Sequence, residues 1–184
     1  MKNIIFCLMA SLLFSIGDMA HVGFHIAQYP SWSGPLFYNI PSWVPLEFFF
    51  SALLLIKTSG IRKKIFHLSD LPSKKLFVVL LSLLWTMLIY LGSSFLPESI
   101  YVTKNVILFC MLLVQIIYFK IFDLPSLCEI LLIALCGYGF EFFLGQIHVF
   151  NYLPSPSLIA TIPLWLGFIY GSVTVTLRIF NSLE

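Results

Sequence analysis

Long apolar runs, broken by short polar stretches rich in proline and serine, dominate this chain and predict helices over 4–27, 41–56, 76–96, 103–120, 127–150 and 162–180. Most of these runs approach or reach the ~20 residues that an α-helix needs to cross a bilayer, and few carry charge. The breaks have turn chemistry. Pro30, Gly34 and Pro35 follow the first run, with Tyr29, Trp32, Phe37 and Tyr38 suited to a membrane–water interface. Pro41 is placed for the first turn of the second helix, Pro125 precedes the fifth, and Asn-Tyr-Leu-Pro-Ser-Pro-Ser leads into the sixth. The first run continues through Asp18 to Ala27 without a small-x-small cleavage pattern, so it reads as a helix rather than a removed leader. The expected fold is all-α: one integral membrane domain, 1–184, forming a bundle of six transmembrane helices.

Two stretches repeat. Gly17 to Lys57 aligns with Gly139 to Arg178 across a one-residue gap, setting Asp18, His25, Tyr29, Pro41 and Trp43 opposite Glu141, His148, Tyr152, Pro163 and Trp165. An acid, a histidine seven residues on and a tyrosine four beyond it precede Ile-Pro-x-Trp in both copies. Helices 1–2 and 5–6 are therefore expected to form a pseudo-repeat around a middle pair.

Composition fits a membrane protein: 60% of residues are hydrophobic, 10% are charged, and the mean hydropathy is +1.00. Charge adds orientation. Lys2, the six basic residues between Lys57 and Lys75, Lys120 and Arg178 share one side, against Lys104 alone on the other. Both termini and the long basic loop are thus expected in the cytoplasm, in the inner membrane of a bacterium or the ER of a eukaryote. The basic loop also suits anionic headgroups. Cys7, Cys110, Cys128 and Cys136 lie in or beside apolar runs without CxxC spacing and read as small hydrophobes. No basic, aromatic surface points to nucleic acid.

Ionisable residues inside spanning helices mark functional positions. Counting about 1.5 Å per residue, Asp18 and Glu141 lie about 21 Å from the cytoplasmic side, and Glu47 enters about 9 Å from the other, so the three carboxyls share one level. Asp18, His21, His25 and Tyr29 follow one helical stripe, and Glu141, Gly145, His148 and Tyr152 another. Three uses remain open. The stripes can be interhelical hydrogen bonds. They can line a cavity for an apolar small molecule with one polar head, with Trp43 and Trp165 at the helix starts. Or a carboxyl kept neutral in apolar surroundings can protonate an alkene or ether. No HExxH, Glu-x-x-His pair, glycine-rich phosphate loop or nucleophile elbow is present, so no cofactor or metal is expected.

Ser42-Trp43-Val44-Pro45 at the second helix, and Trp165-Leu166 followed by Gly171-Ser172-Val173-Thr174-Val175 in the last, resemble motifs of the Insig (insulin-induced gene) family of six-helix membrane proteins. Phe122-Asp123 is similar to that family's cytoplasmic Phe-Asp, and Asn151-Tyr152 to its Gln-Tyr. The resemblance implies a non-enzymatic, regulatory protein that binds a sterol, diacylglycerol or similar lipid between its helices, with Asp123 bearing on a protein partner. A second stretch, Pro45-Leu46-Glu47-Phe48-Phe49-Phe50, resembles the carotenoid lycopene cyclase domains. That resemblance implies a cyclase- or hydratase-like enzyme using Asp18, Glu47 and Glu141 as proton donors or cation stabilisers.

Overall fold

The computed structural model describes residues 1–30, 36–37, 39–72, 74–153, 158–159 and 162–183; Trp32, Gly34, Pro35 and Tyr38 lie outside them. Among the described residues there are seven α-helices: α1 (Lys2–Gly23), α2 (Val44–Lys57), α3 (Ser59–Ile65), α4 (Leu76–Phe95), α5 (Tyr101–Tyr118), α6 (Leu124–Gln146) and α7 (Leu166–Asn181). A 3-10 turn, Glu98–Ile100, leads into α5. The helix not foreseen is α3, a single short piece cut from the basic loop and bent 48° from α2. Four helices are long and apolar enough to span a bilayer, and a fifth if α2 and α3 form one broken span. The chain is an integral membrane protein.

α1 ends at Gly23 rather than running on to Ala27. His25 takes a left-handed backbone (φ 57°), and the Ile26 N–H turns back to the His21 carbonyl at 2.8 Å. This satisfies carbonyls that the helix end leaves without partners, a role usually taken by glycine. α6 closes in the same way at His148 (φ 56°), where the Val149 N–H reaches Leu144 at 3.0 Å. Just beyond these ends, β1 (Ala27–Gln28) pairs antiparallel with β4 (Asn151–Tyr152), aligning Ala27 with Tyr152 and Gln28 with Asn151. Two further two-residue ribbons lead into helices. β2 (Leu36–Phe37) pairs with β3 (Ile40–Pro41) before α2, and β5 (Leu158–Ile159) with β6 (Ile162–Pro163) before α7. Trp43 and Trp165 then stand at the start of α2 and α7.

α7 is the central element, packed against α4, α5 and α6, while α1 lies against α2 and α4. Its small residues let neighbours come close: a Cβ on Gly171 would lie 3.0 Å from Leu112 and 3.3 Å from Ile130. Where α4, α5 and α7 meet, the apolar pattern is interrupted by Ser82, Thr86, Gln115, Ser172 and Thr176, all fully buried. They satisfy one another. Ser172 donates to Gln115 Oε1 at 2.6 Å, Gln115 Nε2 donates to Ser82 Oγ at 3.2 Å, and Thr86 and Thr176 hydroxyls lie 2.9 Å apart. In hydrocarbon these groups have no water to turn to, so the network holds three helices in one register.

Candidate functional site

Asp18 on α1 and Glu141 on α6 each gather two tyrosines. Tyr29 donates to Asp18 Oδ2 at 2.5 Å and Tyr90, from α4, to Oδ1 at 3.4 Å. Tyr170, from α7, donates to Glu141 Oε1 at 2.8 Å and Tyr152 to Oε2 at 3.5 Å. The expected helical stripes are not how Tyr29 and Tyr152 arrive. Both lie beyond the ends of their helices, and the chain folds back through the β1–β4 pair to return each hydroxyl to its acid. The pairing of acid and tyrosine eleven residues apart is thus a turn-and-ribbon contact, not a helical face.

The half-buried carboxyl of Glu47, on α2, feels the charge of Asp18, and Glu141 feels both Glu47 and Asp18. The three acids come from three helices, α1, α2 and α6. Beside Glu141 lies a cavity of about 80 Å³, walled by apolar side chains that include Phe14, Phe48, Ala52, Leu83, Ile169 and Val173, and reached by Tyr90, Glu141 and Tyr170. Its lining is almost wholly apolar, with Tyr90, Glu141 and Tyr170 among the few polar side chains that reach it. Among the described residues, no set of three His, Cys, Asp or Glu side chains is arranged to hold a metal ion.

The other expected site residues scatter. His25 and His148 are exposed at the helix ends and do not join the acids. Gly145 and His148 line a separate, more polar opening with Asn151 and Tyr152. His21 is buried, hydrogen-bonded to Ser93 at 2.9 Å and stacked on Trp165 with ring centroids 4.8 Å apart and planes 3° from parallel. Trp43 meets Tyr29 edge-on at 6.0 Å, and Trp165 meets Tyr152 the same way at 6.0 Å. The tryptophans therefore brace the tyrosines rather than face the cavity. Asp123 caps α6: its carboxylate accepts from the Ser126 N–H at 3.0 Å and hydroxyl at 2.5 Å. Burial disfavours its charge, but these bonds and the Arg178 guanidinium hold its carboxyl below the usual carboxylate range.

Sequence reasoning passed over several buried polar groups. Tyr90 and Tyr170 complete the acid cluster, and no pattern in the sequence singles them out. Lys104, the one basic residue set apart from the others by the charge pattern, is 0% exposed, ion-paired with Glu98 and 5.2 Å from the Trp165 ring. On the basic side, Arg62 of α3 donates through Nε to Glu129 of α6 at 2.8 Å, while Arg178 Nη1 lies 3.6 Å from the other Glu129 oxygen, an ion pair beyond hydrogen-bond reach.

A membrane-embedded helical bundle with an apolar cavity reached by one carboxyl and two tyrosines is the class of protein that these observations define. Its fold has solved counterparts. The chain superposes on a mycobacterial Insig homolog, MvINS from Mycobacterium vanbaalenii, with a TM-score of 0.82 over 99% of this chain and 93% of that one, at 19% identity. A cross-linked trimer of an MvINS variant matches with a TM-score of 0.82 over 98% and 92%, at 18% identity. The fold is Insig-like. No family model and no curated protein sequence matches the chain.

Proposed function

We propose that this Insig-like membrane protein binds a sterol- or diacylglycerol-like lipid in its intramembrane cavity and acts as a lipid sensor or regulator rather than an enzyme. The observation that carries this reading is the apolar cavity beside Glu141, with Tyr90 and Tyr170 at the same end. An apolar ligand gains by filling such a space, and hydroxyls on its head can meet the Glu141 carboxyl and the hydroxyls of Tyr90 and Tyr170, with Asp18 behind Tyr90. In the same reading the bundle has six spans, with α2–α3 as a broken one and α7 as the last, and helices 1–2 and the final two are related halves. The matching left-handed ends at His25 and His148 and the matching ribbons before Trp43 and Trp165 support the relation. The gathering of basic residues at one end supports cytoplasmic termini, and the hydrogen bond from Lys2 Nζ to the Leu183 carbonyl, at 2.8 Å, puts both termini together there.

Lipid extraction tests the binding. Protein purified in mild detergent retains one apolar lipid per chain, and E141Q with Y170F loses most of it while staying folded. Wild-type protein that carries no stoichiometric lipid overturns the reading.

A second reading is favoured by one observation: the Glu141 carboxyl reaches an apolar cavity, an arrangement suited to giving a proton to an alkene and stabilising the cation that forms, with Asp18 and Glu47 as the further acids of the bundle. Under this cyclase- or hydratase-like reading, expression in a lycopene-accumulating host yields a cyclised or hydrated product that D18N or E47Q abolishes. Unchanged lycopene ends it for that substrate.

A further inference from the structure

The lipid-facing side of α2 does not stop where α2 stops. Leu46, Phe50 and Leu54, four residues apart, are 58%, 61% and 63% exposed, and the same face runs on across the break at Thr58 into Ile61 and Ile65 of α3, which are 60% and 64% exposed. Lys57 and Lys64 are exposed on that same face of the helical screw. Apolar and cationic side chains thus share one side of a helix that has turned 48° away from α2.

The rotational setting of α3 is fixed from its other side. Arg62 points inward, donating through Nε to Glu129 at 2.8 Å and through Nη1 to the Leu55 carbonyl and the Thr58 hydroxyl, each at 2.6 Å. With Arg62 held, Ile61, Lys64 and Ile65 have no freedom but to face outward.

We propose that α3 lies in the headgroup layer of the leaflet at the basic end of the bundle and docks an anionic phospholipid there. Its acyl chains continue along Phe50, Leu54 and Ile61, and its phosphate meets Lys57 and Lys64. Charge complementarity selects this occupant: the segment from Lys57 to Lys75 holds six basic residues and one acid, Asp70, which is itself paired with Lys63. Continuity of the apolar stripe selects a lipid rather than a soluble anion, since Ile61 and Ile65 offer nothing to the latter. Short amphipathic segments that present lysine beside aliphatic side chains bind at this depth, with the lysine stems lying along the chains and their ammonium groups at the phosphates.

Native mass spectrometry of the full chain, titrated with phosphatidylglycerol or with phosphatidylcholine of the same acyl chains, tests this. At about 1 kcal/mol per lysine near an anionic headgroup, each lysine is worth about fivefold, so K57Q/K64Q weakens phosphatidylglycerol binding about 25-fold and leaves phosphatidylcholine unchanged. The K120Q control, on a lysine away from the face, has no effect. Equal retention of the two lipids by the wild type, or an equal loss in K120Q, overturns the proposal. In nanodiscs, with the four cysteines replaced by alanine, a spin label on I61C is more accessible to oxygen than to a water-soluble nickel complex, and one on S69C the reverse. A label at position 61 that is as open to nickel as one at 69 marks the face as free for a soluble partner and likewise overturns it.

Discussion

Arg62 Nε donates to Glu129 Oε1 at 2.8 Å across 67 residues of chain, joining the short α3 to the first turns of α6. Both groups are buried, Glu129 to 1% exposure, so neither has water to fall back on. Removing one partner of such a pair leaves a buried charge and costs about 3 kcal/mol or more. R62A is therefore expected to lower the unfolding midpoint in detergent sharply. R62K recovers little, because an ammonium cannot serve Glu129, Leu55 and Thr58 with the fork of a guanidinium. A thermal melt that R62A leaves in place removes the pair from the list of stabilising contacts.

Gly17 and Gly137 lie directly under the rings of Tyr90 and Tyr170, the tyrosines that reach Asp18 and Glu141, and a Cβ at either glycine would overlap the ring. G17A and G137A should each destabilise by about 1–3 kcal/mol and displace the tyrosine from its acid. G23A meets nothing within 4 Å and serves as the control, with a shift near zero. Equal melting temperatures for all three variants would show that the rings can move aside freely.

Gln115 both accepts from Ser172 and donates to Ser82 inside the α4–α5–α7 contact. Q115L strands these hydroxyls in an apolar interior and is expected to cost about 0.6–2 kcal/mol, read as a lower midpoint of unfolding in mixed micelles. Q115E, which keeps the shape and brings a charge, should be worse. A neutral Q115L would mean that the serine and threonine hydroxyls satisfy one another without the amide.

Asp123 gives a pH dependence with a definite sign. Its carboxyl is held below the usual carboxylate range in the folded protein, so the native state binds fewer protons than the unfolded one at mildly acid pH. The cap's contribution is complete above the unfolded aspartate value of about 4 and is lost as pH falls through the lower, folded value. D123A should cost about 1 kcal/mol at pH 7, and the gap between it and the wild type should close on acidification. Midpoints measured from pH 7 to pH 3 that keep a constant gap would contradict the carboxylate's role as a cap.

Much of the site was legible because burial in a membrane makes ionisable residues conspicuous. Asp18, Glu47 and Glu141 stand out in any apolar helix, and depth counting sets the expectation that they share one level. The histidines misled for a local reason: His25 and His148 sit at the spacing of a helical stripe, but each takes the left-handed conformation that ends its helix, which turns the side chain out. Tyr29 and Tyr152 were picked for the wrong geometry, since they meet their acids around a turn. Tyr90 and Tyr170 passed unseen because nothing in the order of residues places α4 and α7 beside the two acids.

The sequence by itself determined that this is a membrane protein with apolar helices, acids within those helices and a cluster of basic residues in one connecting segment. These follow from composition and one-dimensional spacing, which the bilayer reads directly through length, hydropathy and charge. Only the tertiary structure decided which polar groups meet. The chain had to close α1 and α6 at His25 and His148, pair β1 with β4 and pack α4 and α7 against them before two acids could each gather two tyrosines. Such contacts join residues 11 to 72 apart, and their geometry is set by helix packing and turn conformation rather than by any pattern local to the chain.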